Sequence, residues 1–144
     1  MIRSYSKDGG SFAQFALMYG RRKPLVAVVE DDSALREVLE WLLEASDYDV
    51  LSYESAEAFL DWRGTRPDCL VIDVRLPGLS GFELLEQVNI KGDRFPVIFM
   101  SAFDSSATRD AARAARAAFI RKPFDSATLI HAIEEAIESA LSRL

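Results

Sequence analysis

The chain has 144 residues, 49% of them apolar and 28% charged, a balance that suits one ordinary globular domain with a substantial core. Its net charge of −6 is uneven: residues 1–23 carry Arg3, Lys7, Arg21, Arg22 and Lys23 against Asp8, a net of +4, which leaves −10 on the rest. That acidic body disfavours direct nucleic-acid binding by the domain, no apolar run approaches the roughly 20 residues of a membrane helix, and the single Cys69 excludes an internal disulfide or a cysteine-based metal site.

Residues 1–23 read as a basic, flexible N-terminal extension, and residues 24–142 as the folded domain. The extension holds one apolar patch, Phe12 to Tyr19, long enough for a turn or two of helix that docks on the body or on a partner. Its start shows no signal-peptide order of basic, apolar and small residues, so the expected location is the reducing cytoplasm.

From Leu25 the pattern becomes regular. Leu25-Val26-Ala27-Val28-Val29 is a continuous β-branched run, the mark of a strand buried on both faces. After Asp32-Ser33 comes a helical stretch with Leu35, Val38, Leu39 and Leu42 at helical spacing. Asp49 to Tyr53 is a more polar strand, hence an edge. Ser55 caps a second helix holding Ala56, Phe59 and Leu60, with Gly64 as its stop. Cys69-Leu70-Val71-Ile72 is another buried strand, running straight into Asp73.

Ser80 and Glu83 form a capping box for the third helix, with Leu79 and Leu84 as a hydrophobic staple. Pro96 to Met100 is a fourth strand ending at Ser101. An Ala-rich stretch, 105–117, reads as the fourth helix, and Ala118-Phe119-Ile120 as a short fifth strand. Lys122-Pro123 breaks the chain, and Asp125 caps a last helix with Leu129, Ile133, Ala136, Ile137 and Leu141 inward. Five βα units in succession imply a parallel sheet with helices on both faces and right-handed crossovers.

Ligands of such sheets bind outside the carboxyl ends of the strands. Those ends carry Glu30 and Asp31, Asp73, Ser101 and Lys122. Three carboxylates on one rim are costly unless a cation sits among them. Mg²⁺ suits the task because it takes oxygen ligands and is readily shared with phosphate. Lys122 is placed to counter a phosphoryl charge, Ser101 to donate a hydrogen bond to it, and Asp73 to attack as a carboxylate nucleophile.

The segments Val-Val-Glu-Asp-Asp (28–32), Val-Ile-Asp-Val-Arg-Leu-Pro-Gly-Leu-Ser-Gly (71–81), Val-Ile-Phe-Met-Ser-Ala (97–102) and Phe-Ile-Arg-Lys-Pro-Phe (119–124) closely resemble the receiver domains of response regulators. The resemblance covers residues 25–141. It implies a single five-stranded (βα)5 doubly wound, flavodoxin-like α/β fold with strand order 2-1-3-4-5. It also implies a phospho-switch that is not an enzyme in the metabolic sense and catalyses only its own phosphorylation and dephosphorylation.

By that resemblance Asp73 is the phosphoacceptor and Lys122 its lysine partner. Ser101 and Phe119 are the switch pair. Glu30, Asp31, Asp73 and the backbone carbonyl of Arg75 hold Mg²⁺, and Lys122-Pro123 is a cis peptide bond. Arg75 and Phe103 match the positions that tune the lifetime of the phosphoryl group. The implied partner is a histidine kinase or phosphotransfer protein. Ser55 to Leu60 and Lys122 to Phe124 resemble receivers fused to helix-turn-helix outputs. One departure is expected to lengthen or shift the fourth helix: the family's Gly-Ala pair near its end reads Ala115-Arg116 here.

Other residues read more plainly. Cys69 is a small buried hydrophobe, His131 faces solvent, and Trp41 and Trp62 are packing residues. Arg109, Arg113 and Arg116 share one helix face, and Glu134 and Glu138 another. They are either two solvated faces or the halves of a phosphorylation-favoured homodimer through the fourth helix, fifth strand and last helix. Competing functions are weaker. An aspartyl phosphatase needs a second acid two residues after its nucleophile, where Arg75 stands. A nucleotide or flavin binder needs a glycine-rich phosphate loop that is absent. The remaining alternative is a receiver-like interaction module that acts without phosphorylation.

Overall fold

A computed structural model describes residues 22–143. Five strands and five helices alternate: β1 (Leu25–Val29), α1 (Ser33–Ala45), β2 (Asp49–Tyr53), α2 (Ala56–Leu60), β3 (Cys69–Asp73), α3 (Gly81–Ile90), β4 (Val97–Ser101), α4 (Ser106–Ala114), β5 (Ala118–Arg121) and α5 (Ser126–Leu141). All strand pairs are parallel and the order across the sheet is β2-β1-β3-β4-β5, as expected.

Side chains alternate between the two faces of each strand, so each strand feeds two cores. Val26, Val28, Cys69, Val71, Ile98 and Met100 meet α1 and α5 on one face. Ala27, Val29, Leu70, Ile72, Val97 and Phe99 meet α2, α3 and α4 on the other. This double burial explains the uninterrupted apolar runs of β1, β3 and β4. Each fully buried Leu or Ile in these layers contributes on the order of 1.5–3 kcal/mol. Cys69 lies wholly inside, where burial pushes its thiol pKa up, as befits a small hydrophobe. His131 faces solvent, paired with Glu135.

Ser55, Ser80 and Asp125 cap helices where the sequence places them, and Asp32 and Ser105, which the sequence reading does not single out, cap two more. Asp32, Ser55, Ser80, Ser105 and Asp125 each accept a backbone N–H at a helix start, and Ser80 with Glu83 completes the capping box.

Four expectations fail. Gly64 does not end α2, which stops at Leu60 with Asp61 as its cap; Gly64 takes its positive φ in the loop beyond. Val38 does not join the apolar stripe of α1. Leu39 and Leu43 are its buried residues, while Val38 is 57% and Trp41 71% exposed, so Trp41 is no core residue either. The reason is geometric: Val38 and Trp41 line an open groove between α1 and the loop before α5, where nothing among the described residues covers them.

The fourth helix does not run on through the stretch 105–117 read from the sequence. It ends at Ala114, and the left-handed conformation falls on Arg116 (φ +58°), not on Ala115. The N–H groups of Ala115, Arg116 and Ala117 close on the carbonyls of Ala111, Arg113 and Ala112 at 3.0–3.1 Å. Those bonds satisfy the helix's last carbonyls and offset the roughly 1–2 kcal/mol that a non-glycine residue spends in that conformation. The patch Phe12–Tyr19, and nearly all of the basic extension, lie outside the described residues.

Candidate functional site at the carboxyl rim of the sheet

The strand order brings the ends of β1, β3, β4 and β5 to one rim. Asp73 closes β3, the central strand, and is 6% exposed. Its position is held from below by Val74, whose N–H reaches the Met100 carbonyl at 2.9 Å, and by Gly81, whose N–H reaches the Val74 carbonyl at 2.9 Å. Gly81 lies so close that a Cβ there would fall inside the Asp73 carbonyl oxygen and within 3.0 Å of the Ile72 side chain. Only glycine lets α3 start against the strand end that carries the carboxylate.

Lys122 follows β5. Its backbone N–H bonds the Ser101 carbonyl at 2.8 Å, and its peptide bond to Pro123 is cis. The Lys122 ammonium reaches across the rim, donating to Glu30 Oε1 at 2.8 Å and to Asp73 Oδ2 at 3.0 Å. Glu30, directly after β1, is 1% exposed. Its Oε2 accepts the Asp32 N–H at 3.1 Å, and its backbone carbonyl accepts from the Arg36 guanidinium at 2.7 Å. Asp73 Oδ1 accepts the Arg75 N–H at 3.0 Å. Asp31 completes the acidic set, with one oxygen each from Glu30, Asp31 and Asp73 within 4.8 Å of one another.

The electrostatics follow from this geometry. Burial pushes the Glu30 carboxyl above its ordinary range and the nearby Asp73 charge adds to that, while the Lys122 and Asp32 hydrogen bonds pull it back. Burial pulls Lys122 down, but its bonds to Glu30 and Asp73 outweigh that and hold it above its ordinary value. Lys122 is thus a firm cation, and one cation against three carboxylates leaves the rim short of positive charge. The donors are hard oxygens with lone pairs to spare, so the residues present fit Mg²⁺.

Ser101 ends β4 beside Asp73 and is 1% exposed. Its Oγ accepts the Phe103 N–H at 3.0 Å, and among the described residues its own hydroxyl proton has no acceptor. A buried hydroxyl in that state is ready to donate. Phe119 is the one expected site residue held apart from the carboxylates. It sits half-buried in β5 opposite Phe99, with the Arg109 guanidinium 5.1 Å from its ring centre.

Three contacts escaped the sequence reading. The Arg75 guanidinium lies 3.5 Å over the Phe103 ring, joining the loops after β3 and β4 beside Asp73. The signal for it is that each residue lies two positions past the end of neighbouring strands. Arg36 holds the Glu30 backbone. Glu57, on α2, accepts the Leu79 N–H at 3.0 Å and so ties down the loop before α3; no local pattern announces that tie.

The comparisons with known proteins agree with this architecture. The family model described as "Response regulator receiver domain" matches residues 26–134. The chain is 43% identical over 115 residues to the transcriptional regulatory protein FixJ of Azorhizobium caulinodans, covering 78% of this chain and 54% of that protein. It is 35% identical over 112 residues to the DNA-binding transcriptional regulator NtrC of Klebsiella pneumoniae, covering 76% of this chain and 24% of that one. Among solved structures, a response regulator receiver protein from Burkholderia phymatum superposes with a TM-score of 0.71 at 35% identity, over 80% of this chain and 95% of its own.

The chain belongs to the response regulator receiver domain family, the phosphoryl-accepting modules of two-component signalling. That family is regulatory rather than metabolic, typically holds Mg²⁺ at such an acidic pocket, and generally works with histidine kinases. The chain spans about half the length of FixJ and a quarter of NtrC. Among the described residues no helix is long and apolar enough to cross a membrane.

Proposed function

We propose that residues 24–142 form a cytoplasmic receiver that takes a phosphoryl group onto Asp73 from the phosphohistidine of a histidine kinase or phosphotransfer protein. The observation that carries this is the Lys122 ammonium bonded at once to Asp73 and Glu30, with Asp31 completing a three-carboxylate cluster. Glu30, Asp31, Asp73 and the backbone carbonyl of Arg75 would hold Mg²⁺, which when bound supplies positive charge opposite the equatorial phosphoryl oxygens.

In the transfer an Asp73 oxygen bonds to phosphorus as the N–P bond of the donor imidazole breaks. The imidazole leaves with the electron pair and takes a proton from solvent. Lys122 shifts from pairing a carboxylate to pairing the phosphoryl oxygens, and the Ser101 hydroxyl donates its idle proton to the same group. Phe119, already against α4, follows the space that the Ser101 loop leaves, and the face made by α4, β5 and α5 responds.

That face is the proposed output. Arg109 and Arg113 pair there with Asp104 and Asp110 of their own chain, in exposed bridges that exchange at little cost. They are available to Glu134 and Glu138 of a second copy. The altered end of α4, the one feature that favoured an interaction module working without phosphorylation, still closes in a left-handed cap, here on Arg116.

Incubation with acetyl phosphate and Mg²⁺ tests the reading. Intact mass should rise by one phosphoryl group, the gain should vanish with a chelator, and Asp73→Asn should abolish it. A wild-type chain that neither gains mass nor binds beryllofluoride refutes the assignment. Sedimentation of Arg113→Glu with the mimic tests the dimer; unchanged pairing removes it.

A further inference from the structure

The loop from Val74 to Ser80 carries the Arg75 carbonyl, one of the oxygens proposed for Mg²⁺, and it is fastened near both ends. The Val74 N–H and carbonyl pair with Met100 and Gly81, Leu76 is buried, and Ser80 closes the capping box of α3. Between these anchors comes the apex, Pro77-Gly78-Leu79. Among the described residues a single hydrogen bond ties that apex to another element: the Leu79 N–H donates to Glu57 Oε2 at 3.0 Å. A carboxylate accepting a backbone N–H makes one of the stronger bonds of its kind.

The loop's sequence also leaves room for that carboxylate. Gly78 takes φ +75°, a conformation that favours glycine. A Cβ at Gly78 would fall 2.5 Å from Glu57 Oε2 and 3.2 Å from both Oε1 and Cδ. The Glu57 carboxylate therefore lies flat against the Gly78 backbone while it holds the neighbouring amide. A glutamate in the first turn of a helix ordinarily serves that helix's own N-terminus. Glu57 stands in the first turn of α2, yet what chiefly holds its carboxyl below the ordinary range is the Leu79 N–H, 22 positions away, and only then its own N–H. Ala56 and Phe59, both buried, fix α2, so the carboxylate is presented from a packed helix.

We propose that Glu57 is a positioning residue for the metal: by clamping the loop apex it holds the Arg75 carbonyl where Mg²⁺ can use it. The role rests on the phosphoryl-transfer reading, which supplies the metal, but it falls on a residue outside the acidic cluster. A loop that is not clamped must be ordered by the ion, and that ordering is subtracted from the binding free energy. Groups that orient metal ligands without touching the ion are typically worth about 10–100-fold in affinity, and Glu57 acts through four residues of backbone, so a loss of about three- to tenfold is expected without it.

Titration of the full chain with Mg²⁺, followed by amide chemical shifts, reads the affinity directly. Glu57→Ala should weaken it by that factor. Glu57→Gln, whose amide oxygen still accepts the Leu79 N–H, should restore most of it. Amide exchange at Leu79 should quicken in Glu57→Ala already without Mg²⁺, with little change in urea stability. Labelling by acetyl phosphate should slow in Glu57→Ala at subsaturating Mg²⁺ and recover at saturating Mg²⁺, a pattern that a role in packing alone does not produce. Gly78→Ala, which expels the carboxylate, should weaken Mg²⁺ binding in the unsubstituted chain and add little to Glu57→Ala.

A wild-type chain that binds Mg²⁺ beside a Glu57→Ala chain that binds it equally well overturns the proposal and leaves the receiver reading intact. So does a loss that Glu57→Gln fails to repair. A wild-type chain that binds no Mg²⁺ overturns the receiver reading first, and the role of Glu57 with it.

Discussion

Two junctions in this sheet are built on opposite terms. Where β3 passes into α3, Asp73 is anchored through both carboxylate oxygens, through the backbone of Val74 and through a glycine with no room for a methyl group. Where α4 passes into β5, the helix buries only Ala112, its arginines are exposed, and a non-glycine residue occupies a left-handed conformation. One joint is over-determined and the other is lightly held. Segments with few buried contacts open at low free energy, whereas densely bonded ones open only with the whole domain. If the proposed chemistry occurs at the first joint and is reported through the second, rigidity and looseness fall where that function needs them.

The largest way to break the comparison is to remove the cation of the rigid joint. Lys122→Met leaves Glu30 and Asp73 buried side by side with no positive partner. The cost should be about 3 kcal/mol in metal-free buffer, since breaking a buried ion pair leaves an uncompensated charge. Mg²⁺ should restore part of that loss by binding the folded state alone. Asp73→Asn, which removes one of the repelling carboxylates, should cost far less than the lysine variant. Urea denaturation with and without Mg²⁺ measures all three. Equal costs for the two variants would mean that the lysine does not hold this cluster together.

Next in size is Gly81→Ala. The added methyl meets backbone, not a flexible side-chain end, so β3 or α3 must shift. Overpacking of this kind costs about 2 kcal/mol. Because the nearest atom is the carbonyl of Asp73, the displaced residue is the proposed acceptor itself. Phosphoryl uptake from acetyl phosphate should therefore fall by more than the loss of folded protein explains. A variant that is destabilised yet phosphorylated at the normal rate would show that the tight fit serves packing alone.

The two joints also differ in how far they can be read from the sequence. The rim is legible because the carboxyl end of a parallel strand is marked by the end of an apolar run, and the rim residues are chemically unlike the runs that precede them. Glu30, Asp31, Asp73, Ser101 and Lys122 all stand out in that way. The looser parts are not legible, because tertiary context decides them. An Ala-rich stretch has helix propensity throughout 105–117, so propensity cannot say that the chain turns at Arg116. Leu35, Val38 and Leu42 share a spacing, but which of them is covered depends on how closely the loop before α5 approaches α1. The Arg75–Phe103 stack joins two loops 28 positions apart and leaves no periodic trace.

The smallest expected effect sharpens the comparison from the loose side. Arg116 sits at φ +58°, where an L side chain crowds the following carbonyl. Arg116→Gly removes that crowding in the folded state but frees the unfolded chain, so the gain is the difference, about 0.5–1 kcal/mol of added stability. The guanidinium is exposed and does not figure in the bonds that close α4, which come from its backbone N–H to Arg113. Urea denaturation should report the gain. Amide exchange should show residues 106–121 opening at lower free energy than the Asp73 strand, with the substitution raising both by the gain that urea reports. If residues 106–121 open only with the whole domain, the two joints open together and the contrast between them carries no functional meaning. If they open first, the end of α4 is a separately adjustable element, and an arginine in a glycine's conformation keeps it less stable than its backbone requires.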